Sequence, residues 1–161
     1  MDYKSYFEES VKRNAVRYNS WQFPSDKNLR QEYDIEYQKH LKPQYGDFWP
    51  TFDDFMKAAE DGKVIEIGPS TDATIGSRSR TRNKEDLIGL LSSYRSWGKF
   101  RNEQTTQNLY DRINKNLPLD MPLILKTKYG MKIMSGNTRA DVAMQTIGSY
   151  EALILDVSDR V

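Results

Sequence analysis

The sequence predicts an α+β protein: a small mixed sheet with helices, preceded by a helical N-terminal layer. Three observations lead there. Apolar and aromatic residues over the first sixty positions recur at three- and four-residue steps, the helical period. From Lys63 onward, short apolar runs bounded by turn residues alternate with helical stretches. The region Leu123 to Leu155 then reads as a hairpin, a helix and a strand. The organisation expected is a helical extension over 1–62 and a mixed domain over 63–161.

In chain order, Tyr6, Phe7, Val11, Ala15 and Tyr18 line one face of a helix over Tyr3–Tyr18. Pro24 disfavours helix at Phe23. Ser25 caps a second helix, Asp26 to Leu41, with Leu29, Tyr33, Tyr37 and Leu41 inward, ended by Pro43 and Gly46. Thr51 caps a third, "FDDFMKAAEDG", stopped by Gly62. The stretch "DFWPTFDDF" is expected to be an aromatic anchor between the helical layer and the core, with a base-stacking platform as the alternative. "KVIEIG" is the first strand, with Val64, Ile65 and Ile67 supplying its burial. "PSTDATIGSRSRTR" reads as a loop. Asn83 opens a helix with Leu87, Leu90, Leu91 and Tyr94 inward, ended by Gly98. Another helix runs from about Thr106 to Asn116, and Pro118 stops it. "MPLILKT" and "MKIM" are strands around a "KYG" turn; a helix over Asn137–Ile147 and a strand over Ala152–Val157 close the unit.

Composition narrows the chemistry. There is no cysteine, so disulfides, thiolate metal sites and cysteine nucleophiles are excluded. One histidine, His40, makes a zinc site improbable and is expected on the surface near a helix C-terminus, where a cation is favourable. Mean hydropathy is −0.80, yet 3 Trp, 10 Tyr and 6 Phe argue for a folded core. No signal peptide or membrane span is legible, so a cytoplasmic, soluble protein is expected. Net charge is +1, but Arg78 to Arg101 holds seven Lys/Arg against Glu85 and Asp86, a local +5. A local basic segment in a neutral chain points to a local anionic ligand. Its aromatic–basic mixture at "SWGKFR" suits single-stranded nucleic acid, and equally a helix end packing on its neighbour.

The chemistry-bearing stretch is Gly136-Asn137-Thr138-Arg139, where a strand meets a helix. A helix N-terminus offers unpartnered amides and partial positive charge, glycine permits close approach, and Arg139 adds a fork for phosphate oxygens. The competing reading is a tight turn with Asn137 as N-cap and Arg139 in water. "PLILKTKYGMKIMSGNTRADVAMQTIGSYEALILDV" resembles the latter half of the ParB/sulfiredoxin superfamily domain, in which a hairpin precedes a Gly-x-x-Arg box at a helix start. "KVIEIGPS" resembles its opening strand, and "RSRTRNKEDLIGLLSSYRSWG" its basic turn and helix.

The resemblance implies a nucleotide site for ATP, ADP or CTP, with or without Mg²⁺. Gly136, Asn137, Thr138 and Arg139 would hold phosphates, with Arg80 and Arg82 before the first core helix. It also implies candidate acids for phosphotransfer or hydrolysis: Glu66 first, Asp72 second. Asn137 stands where sulfiredoxins carry cysteine, which rules out their thiol chemistry. Thr138 replaces the second arginine of the ParB box, and no helix-turn-helix follows before Val161. The alternatives are a nucleic-acid-binding protein or nuclease using Arg78 to Arg101, and a catalytically silent factor whose helical layer binds another protein. A small, polar, cysteine-free chain of this character also suggests a phage-encoded factor of nucleic-acid metabolism.

Overall fold

The computed structural model describes residues 18–76 and 103–160. It is an α+β fold in which one four-stranded sheet has a helical layer on each face. The helix expected to run up to Tyr18, the helix from Asn83, and Arg78, Arg80 and Arg82 lie outside the described residues.

The first described element is a two-residue strand, β1 (Trp21–Gln22). Ser25 then caps α1 (Asp26–Gln31), its side chain accepting from the Asn28 amide. The helix widens into a π-helical segment over Glu32–Leu41 and tightens again in α2 (Lys42–Tyr45). The sequence explains the widening. Leu29, Tyr33, Tyr37, Leu41 and Tyr45 are all buried at strict four-residue steps. At 3.6 residues per turn such a stripe drifts around an α-helix, whereas the i→i+5 bonding of a π-helix carries more than four residues per turn and draws it back toward the sheet. Pro43 does not end the helix as expected. It lies where the π-helical segment passes into α2, in a helix continuous from Asp26 to Tyr45, and its missing N–H leaves a carbonyl of the preceding turn without its usual donor. Gly46, at φ 109°, ends it.

Thr51 caps α3 (Phe52–Glu60) in a reciprocal capping box with Asp54. The strand β2 (Lys63–Ile67) follows. It is an edge strand, and only Ile67 is buried; Val64 and Ile65 are 53% and 42% exposed, contrary to the burial expected of them. The segment expected to be loop makes a short helix, α4 (Pro69–Asp72). From there the chain crosses the sheet to β5, where Gly76 exchanges backbone hydrogen bonds with Met131 (3.0 Å) and Ile133 (2.9 Å).

After α5 (Glu103–Asn114) comes β3 (Leu119–Asp120), which pairs in parallel with β1. Neither of these two-residue strands was expected. Then β4 (Leu123–Thr127), β5 (Gly130–Ser135), α6 (Asn137–Thr146) and β6 (Tyr150–Asp156) form the hairpin, helix and strand read from the sequence. Sheet order is β2-β6-β4-β5, with β4 and β6 parallel and the outer pairs antiparallel.

The central strand β6 alternates between two cores. Ala152 and Ile154 face α5 and α6, where Tyr110, Ile113, Ala140 and Ala143 meet them. Leu153 and Leu155 face the N-terminal helices, against Tyr37, Trp49 and Phe55. Burial on both sides is why "ALIL" reads as an unbroken apolar run. The helical extension therefore shares a core with the sheet, and position 62 does not separate two cores. The "DFWP" anchor is confirmed: Phe48 and Trp49 are buried in that shared core. Lys132 is buried too, its ammonium 5.6 Å from the centre of the Tyr45 ring.

Candidate functional site

The Gly136–Arg139 turn leaves β5 and enters α6. Gly136 is the N-cap, in the left-handed region at φ 95°, ψ 25°, so the cap is one residue earlier than Asn137. No side chain caps the helix. The first intrahelical bond, from the Ala140 amide to the Gly136 carbonyl, spans 2.9 Å. The amides before it are the ones a helix start leaves without internal partners. Glycine is required at 136 twice over. Its φ is unfavourable for other residues, and a Cβ there would lie 2.9 Å from both Pro122 Cα and Arg139 Nη2.

The same distances show what occupies the space over Gly136. Arg139 folds its guanidinium back onto the glycine, and Pro122 packs beside it. Side-on approach of a phosphate to Gly136 is therefore filled by protein. What stays open is a polar cleft of about 240 Å³, into which Arg139 projects together with Asn28, Glu32, Asp120 and Ser135. The Nε of Arg139 is buried without a hydrogen-bond partner. Burial lowers the affinity of this guanidinium for its proton, while the charges of Asp120 and Glu32 favour the protonated form. Asp120 is itself held in place, accepting from Gln22 Nε2 at 2.8 Å and from Asn28 Nδ2. The cleft thus joins α1, the π-helical segment, β3, β5 and α6, and its carboxylates outnumber its one guanidinium.

Asn28, Glu32 and Asp120 carried no sequence signal. Glu32 and Asn28 sit in an amphipathic helix as ordinary solvent-side polar residues, and Asp120 lies in a two-residue strand that no periodicity marks.

The two candidate acids are placed elsewhere. Glu66 is exposed on β2, opposite Glu151 of β6, and β6 and β4 separate it from β5. Asp72 is fully buried at the end of α4 and accepts a 2.7 Å hydrogen bond from the Tyr150 hydroxyl. The structure places it inside the sheet's core, not on the loop expected, where it ties the crossover segment to β6. Neither carboxylate lines the Arg139 cleft. Among the described residues, no group of three or more His, Asp or Glu is placed to hold a metal ion. His40 is exposed near the end of the π-helical segment, as the sequence suggested. No described helix is long and apolar enough to cross a membrane.

No protein family, curated protein or solved structure matches this chain.

Proposed function

We propose that this chain is a nucleotide-phosphate-binding protein of ParB/sulfiredoxin type, acting in nucleic-acid metabolism, and that it binds without turning its ligand over. The observation that carries the reading is Arg139, whose buried Nε has no hydrogen-bond partner and which lines a polar cleft at the start of a helix with no side-chain cap; Gly136, Asn137 and Thr138 do not line that cleft. A cleft of about 240 Å³ lies below the range of roughly 300–1,000 Å³ that encloses a drug-sized ligand. It accommodates a phosphate group, with the nucleoside outside. Two carboxylates on the rim oppose a bare polyanion, so ATP, ADP or CTP is expected to bind as the Mg²⁺ complex. Catalysis is left out because Glu66 and Asp72 stand away from the cleft.

A second reading has an observation of its own. Asp120 and Glu32 already supply opposite charge to Arg139, which would then be a clamp between the helical layer and α6 in a catalytically silent interaction protein. A thermal-shift panel of ATP, ADP and CTP with and without Mg²⁺ separates the two. Nucleotide binding predicts a rise in Tm of about 2–4 °C at saturating ligand, abolished in Arg139→Ala. The clamp predicts no nucleotide shift and a lower Tm for Arg139→Ala alone.

A further inference from the structure

A second, larger concavity lies at the opposite end of the sheet from Gly136. The carboxyl ends of the parallel strands β4 and β6 frame it, together with the first residues of β2 and β5. Its volume is about 910 Å³. The concavity wraps the end of the sheet: Trp49, Ala58 and Leu155 line it on the helical-layer face, and Ile65, Met131 and Ile154 line it on the other face. We propose that this hollow is a binding site for an amphipathic anion: an apolar body about the size of a fused ring or a medium acyl chain, carrying one carboxylate or phosphate group.

Three features support the assignment. The volume falls within the range of roughly 300–1,000 Å³ of small-molecule sites, and the lining is mostly apolar with a few charged groups, the usual composition of such sites. Ile65 gives the second feature. It is 42% exposed on a strand whose register with Ala152 would let it be covered, and it faces the hollow. An apolar body seated there removes it from water.

The third feature is charge. Lys63 and Lys126 flank a single carboxylate, Asp156, which lies 3.8 Å from the Lys126 ammonium. Two cations share one anion at the sheet end, leaving one positive charge for a ligand head group. The remaining charged groups are committed or stand on the other wall. Arg160 donates to the Phe48 carbonyl at 2.7 Å and lies 4.0 Å from Asp159; Asp61 ends α3 on the helical side. The ligand's anionic end therefore points toward Lys63 and Lys126, and its apolar body lies against Ile65 and Met131, on the same face of the sheet.

The test uses two dyes with one shape. The anionic 8-anilinonaphthalene-1-sulfonate and the uncharged N-phenyl-1-naphthylamine are titrated into the whole chain and followed by fluorescence. One saturable site is expected for each. The double variant Lys63→Gln/Lys126→Gln removes two exposed charges and leaves the core intact. It should weaken the anionic dye roughly tenfold, as two partly solvated ion pairs would, and leave the uncharged dye unchanged. Thr74→Trp, at an exposed lining position beside the Ile65 and Met131 face, fills the hollow there and should block both dyes while circular dichroism stays native. Dodecanoate and dodecyl phosphate then compete, and the better competitor identifies the head group. Absence of saturable binding, equal affinities in wild type and Thr74→Trp, or an equal loss of both dyes in the lysine variant overturns the proposal. Arg139→Ala should not alter dye binding, so failure here and failure of nucleotide binding at α6 are independent results.

Discussion

The two ends of the sheet hold unlike concavities. Where β5 runs into α6, the cleft is about 240 Å³ and lined by charged and polar groups around Arg139. At the carboxyl ends of β4 and β6 the hollow is about 910 Å³ and lined largely by Trp49, Ile65 and other apolar groups. The first announces itself in four consecutive residues. The second is drawn from four separate stretches of chain, Trp49 to Ile65, Thr74, Lys126 to Met131 and Ile154 to Arg160, and no short motif encodes it. A glycine–arginine turn is visible because its chemistry is local; a hollow is a property of how layers meet.

Both concavities depend on the helical layer being part of the fold, so the first way to break the comparison is to remove that dependence. Phe55 is fully buried between α3 and the sheet, its ring centre 5.1 Å from that of Trp49. Phe55→Ala should cost about 3–5 kcal/mol in urea denaturation. A cost under about 1 kcal/mol would mean that the layer is an appendage and that the hollow has only one wall.

Next comes the turn. Gly136→Ala must adopt a positive φ and push a methyl into Pro122, and should cost about 2–4 kcal/mol. Gly148→Ala supplies the control, since it has φ 85° but nothing within 4 Å of its added Cβ; it should cost about 1 kcal/mol. Equal costs would show that Pro122 does not close over Gly136. Tyr150→Phe deletes the hydroxyl that donates to buried Asp72, and about 1–3 kcal/mol should be lost.

A smaller effect is read with pH. Burial pushes the Tyr18 phenol up to about 12, with its hydroxyl donating to the Leu117 carbonyl at 2.5 Å. The folded state therefore holds this proton where the unfolded chain releases it. The contribution is fully present below the ordinary tyrosine value of about 10 and is lost as pH rises from there through about 12. Denaturation midpoints measured across that window should fall more steeply for wild type than for Tyr18→Phe. Least of all, the exposed pair Lys63→Gln/Lys126→Gln should shift stability by under about 1 kcal/mol while altering dye affinity at the hollow.

Much of the fold was legible because its signals are local. Ser25 and Thr51 cap as expected, the Leu29–Tyr33–Tyr37–Leu41 stripe is buried, and the hairpin, α6 and β6 fall where the apolar runs and glycines place them. The misses are non-local. Val64 and Ile65 look like core residues in a window of five, but β2 is at the sheet edge, and edge position is decided by strand order. Asp72 looks like a loop acid until the crossover to Gly76 carries it beneath Tyr150. At the candidate site, Gly136 and Arg139 were readable from their residue types, while Asn28, Glu32 and Asp120 are brought there by the β1–β3 pairing and the widened helix. Those acids change the electrostatics of the cleft, and nothing near residue 136 foretells them.

Isothermal titration calorimetry of ATP, ADP and CTP, each with Mg²⁺, against wild type and Arg139→Ala is the direct test. A saturable one-site isotherm for at least one nucleotide, lost in Arg139→Ala while Lys63→Gln/Lys126→Gln retains it, is the predicted result. No binding heat at millimolar nucleotide, or an isotherm indifferent to Arg139, would contradict phosphate capture at the start of α6.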